Sequence, residues 1–121
     1  MADAVVTTTE ETFGTVKKIK FVIVSATDGT ATATTTNAFS GEVLRFIVVP
    51  AAAAAQPDDQ FDIAINDADG YDILAGQGAN LSNAATTTVV ASMGCVANDK
   101  LSLSASGIGD QNGATVYVYI R

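Results

Sequence analysis

The chain has 121 residues, the size of one domain able to bury about two-thirds of its unfolded surface without staples. Hydrophobic residues make up 48% and charged ones only 16%, which excludes a disordered acidic segment. A net charge of −7 opposes phosphate backbones and anionic lipid surfaces, so neither nucleic acid nor membrane is expected as a partner. With no His anywhere, the usual Ser–His and Cys–His nucleophile pairs cannot form.

The chain opens "MADAVVTTTEET". It shows neither a basic segment nor an apolar one, so no secretory signal is expected. Rich in Thr and Glu, residues 1–12 read as a flexible arm ahead of a single domain over 13–121.

Period-two alternation then dominates, and no long segment carries the i, i+3, i+4 pattern of a helix. "TVKKIKFVIVSA" sets Ile19, Phe21 and Ile23 on one face. Lys18 and Lys20 start the other face, and Val22 and Val24 extend it, so burial on both sides is expected at that end. Asp28-Gly29 signals a turn, and residues 30–36, "TATATTT", form a β-branched strand. "GEVLRFIVVP" places Leu44, Phe46 and Val48 opposite Val43, Arg45, Ile47 and Val49, and Pro50 ends it. "AAAAAQPDDQ" is a connection with room for one helical turn.

"QFDIAIN" turns Phe61, Ile63 and Ile65 inward, and "YDIL" reads as its returning strand. "TTTVVAS" follows. Cys95, among small and apolar neighbours, is expected to be a buried small hydrophobe. "KLSLSAS" alternates Leu101, Leu103 and Ala105 with Ser, and "ATVYVYIR" sets Val116, Val118 and Ile120 against Tyr117 and Tyr119. About eight strands with frequent turn signals define the fold class: all-β, an antiparallel β-sandwich of jelly-roll type.

The stretch "FDIAINDADGYDILAGQGANLS" invites two chemical readings. A calcium loop with Gly70 at its sixth position would put Ile65 first and Gly76 twelfth, and neither can ligate; an EF-hand is rejected. A looser cation site on Asp67, Asp69 and Asp72 stays open. "GQGANL" lacks the third Gly of a dinucleotide loop and any surrounding βαβ unit. The hairpin reading fits best, because Asp bonds its own backbone in turns and Gly takes positive φ. No catalytic, cofactor-binding or metal residue is assigned. The absence of Trp, with only three Tyr, weakens a sugar-stacking reading.

Composition and periodicity stop at the fold. Their order adds one resemblance, carried by Ser40-Gly41, Pro50, Pro57, Asp59, Phe61, Asp62, Ile63, Asp72, Leu74, Gly76, Gly113 and Tyr119. In that sequence the chain resembles small β-sandwich virion structural proteins of tailed bacteriophages. The resemblance implies a head decoration (cement) protein: a homotrimer made in the host cytoplasm that binds the major capsid protein on the capsid exterior, with no cofactor. The apolar "VVPAAAAAQP" connection and the N-terminal arm are its expected contacts. The alternative is a tail, fibre or glycan-binding β-sandwich adhesion module, and an enzyme ranks behind both.

Overall fold

The computed structural model describes residues 3–121. Nine strands occur among them: β1 (Val5–Phe13), β2 (Val16–Val24), β3 (Ala31–Thr34), β4 (Phe39–Pro50), β5 (Asp62–Asn66), β6 (Thr87–Val89), β7 (Cys95–Asp99), β8 (Ser102–Ser106) and β9 (Gly113–Ile120). Every pairing is antiparallel. The larger sheet runs β1-β2-β9-β4-β6, with β7 beside the first half of β4; the smaller runs β3-β8-β5. Early strands pair with late ones, β2 with β9 and β3 with β8, so the chain rolls up as nested antiparallel pairs. This is an antiparallel β-sandwich of jelly-roll type.

The core forms where the two inner faces meet. Ile19, Phe21, Ile23, Phe46, Val48, Val116, Val118 and Ile120 come from the larger sheet; Ile63, Ile65, Leu103 and Ala105 come from the smaller. All twelve follow the period of two, since alternate side chains of a strand point to one face.

Five expectations need correction. Residues 5–12 are not an arm: they belong to β1, paired with β2 from Val5↔Val24 to Phe13↔Val16. The same Thr residues that suggested flexibility are β-branched and suit a half-buried strand. Val6 of this strand, and Ala4 just before it, pack against the core. Residues 1–2 of the expected arm lie outside the described residues.

Next, Val22 and Val24 are 38% and 42% exposed, so the end of β2 is buried on one face only. In β4 the pairing with β9 shifts between Val43 and Arg45. A bulge there adds a residue and breaks strict alternation. Val43 therefore joins Phe46 and Val48 in the core, where unbroken alternation would have put it with Arg45.

Cys95 is exposed, at the start of a strand that the sequence did not announce, and Val96 takes the buried position. Finally, "YDIL" is no strand. Only the Asn66↔Asp72 bridge forms, after which the chain coils in successive turns along the open edge of β5. Ile63 donates to the Gly78 carbonyl at 2.8 Å and Leu81 to that of Phe61 at 2.8 Å, so this irregular segment covers an edge that would otherwise be exposed. The alanine connection contains one 3₁₀ turn, Ala53–Ala55, as its length allowed.

Candidate functional site

The Asp-rich stretch is built as a turn. Asp67 Oδ1 accepts the N–H groups of Asp69 and Tyr71, each at 3.0 Å, and Gly70 N–H reaches the Asp67 carbonyl at 3.1 Å. Asp72 points elsewhere. Its Oδ1 accepts from Ile65 (3.1 Å) and Leu74 (3.0 Å), and its Oδ2 accepts from Gly76 (3.1 Å). Asp62 accepts the Asn80 N–H at 2.8 Å. These carboxylates substitute for ladder partners in a segment too irregular to supply its own.

The three acids singled out by the sequence are thus not brought together. Asp67 and Asp69 meet Asp99 instead, their carboxylate oxygens lying within 4.8 Å of one another. Asp99 Oδ2 accepts the Ala68 N–H at 3.3 Å, so two of the three side chains are engaged by the backbone of the turn they surround. The group is explained by turn chemistry.

A cleft of about 320 Å³ opens beside Glu10, Lys17, Asn37 and Ser40. Its two charged side chains are both engaged within the fold. Glu10 takes the N–H groups of Thr36 and Asn37, both at 2.9 Å, and the Asn37 amide at 3.1 Å. Lys17 Nζ donates to the Ser40 carbonyl at 2.8 Å.

The third place is the outer face of the larger sheet, and its order comes directly from register. One row across the strands reads Glu11, Lys18, Tyr119, Arg45. The next reads Thr9, Lys20, Tyr117, Ile47, Thr88. A third reads Thr7, Val22, Thr115, Val49. With strands about 4.8 Å apart, the five-residue row is about 19 Å long.

Two half-exposed tyrosines occupy the middle of this face. Lys18 Nζ and Lys20 Nζ each lie 5.7 Å from the centroid of the Tyr117 ring, and Arg45 Cζ lies 4.3 Å from that of Tyr119. Ring quadrupoles hold these cations over the sheet, at about 0.5–1 kcal/mol each for exposed sites. Half of the chain's six Lys and Arg residues stand in these rows, against one of its thirteen carboxylates, Glu11. Beyond the tyrosines the face turns apolar, with Val22, Val24, Val49 and Val5 all exposed.

Sequence reasoning missed this grouping. Its signals were present as K-x-K in β2 and Y-x-Y in β9, each spaced to share a face. What no local pattern supplies is that these strands, at opposite ends of the chain, are neighbours.

No known protein family matches the chain, and no curated protein does. Among solved structures, the chain is similar to a low-affinity xylan-binding module from Roseburia intestinalis. The TM-score is 0.48 at 11% identity, over 99% of this chain and 88% of that one. It is also similar to a structure described with the promiscuous carbohydrate-binding modules of the β-sandwich superfamily. There the TM-score is 0.42 at 17% identity, over 99% of this chain and 54% of that one, about half its length.

Proposed function

We propose that this protein is a non-catalytic adhesion module that binds carbohydrate chains across the outer face of its larger sheet. The observation that carries the reading is the row Thr9, Lys20, Tyr117, Ile47, Thr88 and its neighbour Lys18, Tyr119, Arg45. Hydroxyl, ammonium, guanidinium and phenol groups stand side by side on an open sheet. A hydroxyl-rich polymer needs this: many donors and acceptors at short intervals, around amphipathic rings. The row's length suits an extended chain lying across the strands, and an open face suits a polymer better than a small molecule. The non-catalytic part rests on the lack of His and on cleft groups already committed to backbone partners.

Affinity electrophoresis through gels containing different polysaccharides tests the reading. Retardation by at least one polysaccharide is expected, and Tyr117→Ala and Tyr119→Ala should abolish most of it while the protein stays folded. Unretarded migration through every gel would refute it.

A second reading, the capsid decoration protein, is favoured by a different observation. Val5, Val22, Val24 and Val49 expose an apolar patch at one end of the same face. Such patches commonly mark protein contacts. Co-sedimentation with undecorated phage heads at saturating, symmetry-related copy number, lost on Val22→Asp or Val24→Asp, would favour this reading over the first.

A further inference from the structure

Resting on the carbohydrate reading, we infer that the polymer this face takes is acidic, its carboxylate or sulfate groups seated on Lys18, Lys20 and Arg45. Charge distribution is the first ground. The chain is strongly acidic overall, yet these rows set three cations against one carboxylate, so the face is a basic island on an acidic protein.

Ring geometry is the second ground. A neutral pyranose stacks on a bare aromatic face. Here Arg45 lies 4.3 Å from the centre of Tyr119, and two ammonium groups flank Tyr117 at 5.7 Å. The rings act as holders for cations, and what the sheet then presents is positive charge with phenol and threonine hydroxyls around it.

Spacing is the third ground. Lys18 and Lys20, two residues apart on one strand, have backbones about 7 Å apart; Arg45 stands two strands from Lys18, about 10 Å away. Cations mounted at these intervals match a polymer with one acid group per sugar or per few sugars. A nucleic-acid duplex is disfavoured on a different ground: the acidic remainder of the molecule repels its phosphates. Arg can grip a carboxylate or sulfate through two parallel N–H donors, and each Lys adds a point charge.

The test is isothermal titration of the full chain with polygalacturonate, a sulfated galactan and neutral xylan at low and high NaCl. The expected result is binding to at least one acidic polymer that weakens several-fold with salt, because exposed charges are screened. Each of Lys18→Met, Lys20→Met and Arg45→Met should lose about threefold to fivefold in affinity, as exposed ion pairs do. Lys100→Met, outside these rows, should lose nothing. The salt titration on the unaltered protein keeps the test decisive if a variant folds poorly.

Salt-independent binding to xylan alone, unaffected by the three substitutions, would overturn the acidic ligand and leave the carbohydrate reading standing. Binding to no polysaccharide would overturn both. Equal binding to duplex DNA would overturn this inference by showing a generic cation surface.

Discussion

Gly78 tests whether the glycines of "GQGANL" serve packing. It is buried where the irregular segment crosses the edge of β5. A Cβ added there would lie 2.1 Å from the Ile63 carbonyl oxygen, where ordinary contact begins at 3.4 Å. The two segments must therefore part by about 1.3 Å, the difference between those distances. That movement also breaks the 2.8 Å hydrogen bond from Ile63 to the Gly78 carbonyl. Overpacking costs about 1–3 kcal/mol. A buried polar group left without its partner costs a similar amount.

Gly78→Ala should thus destabilise the fold by about 4 kcal/mol, a large share of the 5–15 kcal/mol typical of a domain. Melting should fall by roughly 15 °C. Gly76→Ala is the control. At φ +81° it pays for left-handed backbone, but nothing lies within 4 Å of the added carbon, so about 1 kcal/mol is expected. Urea unfolding of both variants, read at the transition midpoint with unchanged slope, gives the comparison. If Gly78→Ala is no worse than Gly76→Ala, the close approach is not what fixes this glycine.

Other expectations follow from single contacts. Ser25 is fully buried; it accepts the Asn112 N–H at 3.0 Å and donates to the Gly109 carbonyl. Ser25→Ala should cost about 2 kcal/mol in urea unfolding, and a loss below 0.5 kcal/mol would mean that water replaces the hydroxyl. Asp28 is held below the ordinary carboxylate value, first by the Thr30 hydroxyl at 2.7 Å and then by the Thr30 N–H at 3.1 Å. Its charge is therefore favoured in the folded state, so its contribution is present above the unfolded value and is lost as pH falls through the folded one. Asp28→Asn should flatten that acid limb of the stability curve, and an unchanged limb would contradict the assignment. Exposed Cys95 should react with a thiol reagent in native buffer nearly as fast as in denaturant, whereas protection would place it back in the core.

The fold was legible in the sequence wherever alternation was strict. Ile19, Phe21 and Ile23, then Leu101, Leu103 and Ala105, then Val116, Val118 and Ile120, all lie in the core as their spacing required. It was illegible where backbone geometry intervened. The bulge between Val43 and Arg45 moves Val43 to the core without a Gly or Pro at the shift to announce it. Between Asp72 and Leu81, carboxylates and glycines replace ladder pairing, so no period survives to be read. In β1 the threonines answer equally to a solvated arm and to a strand, and only the partner β2 decides.

The candidate site was less legible for a deeper reason. A binding face on a sheet is a set of rows running across strands, while the sequence records only columns running along them. Lys18, Lys20, Tyr117 and Tyr119 each obey the outward half of an alternating pattern, which by itself marks nothing more than a solvated surface. Their meaning arises when β9 is inserted between β2 and β4, because that step sets Lys20 against Tyr117 and Tyr119 against both Lys18 and Arg45. The acidic turn, by contrast, is local and conspicuous, and its Asp67 and Asp72 carboxylates prove to be bound to nearby backbone. In this chain the most visible motif builds the scaffold, and the residues of the proposed binding face are the ones that only long-range pairing assembles.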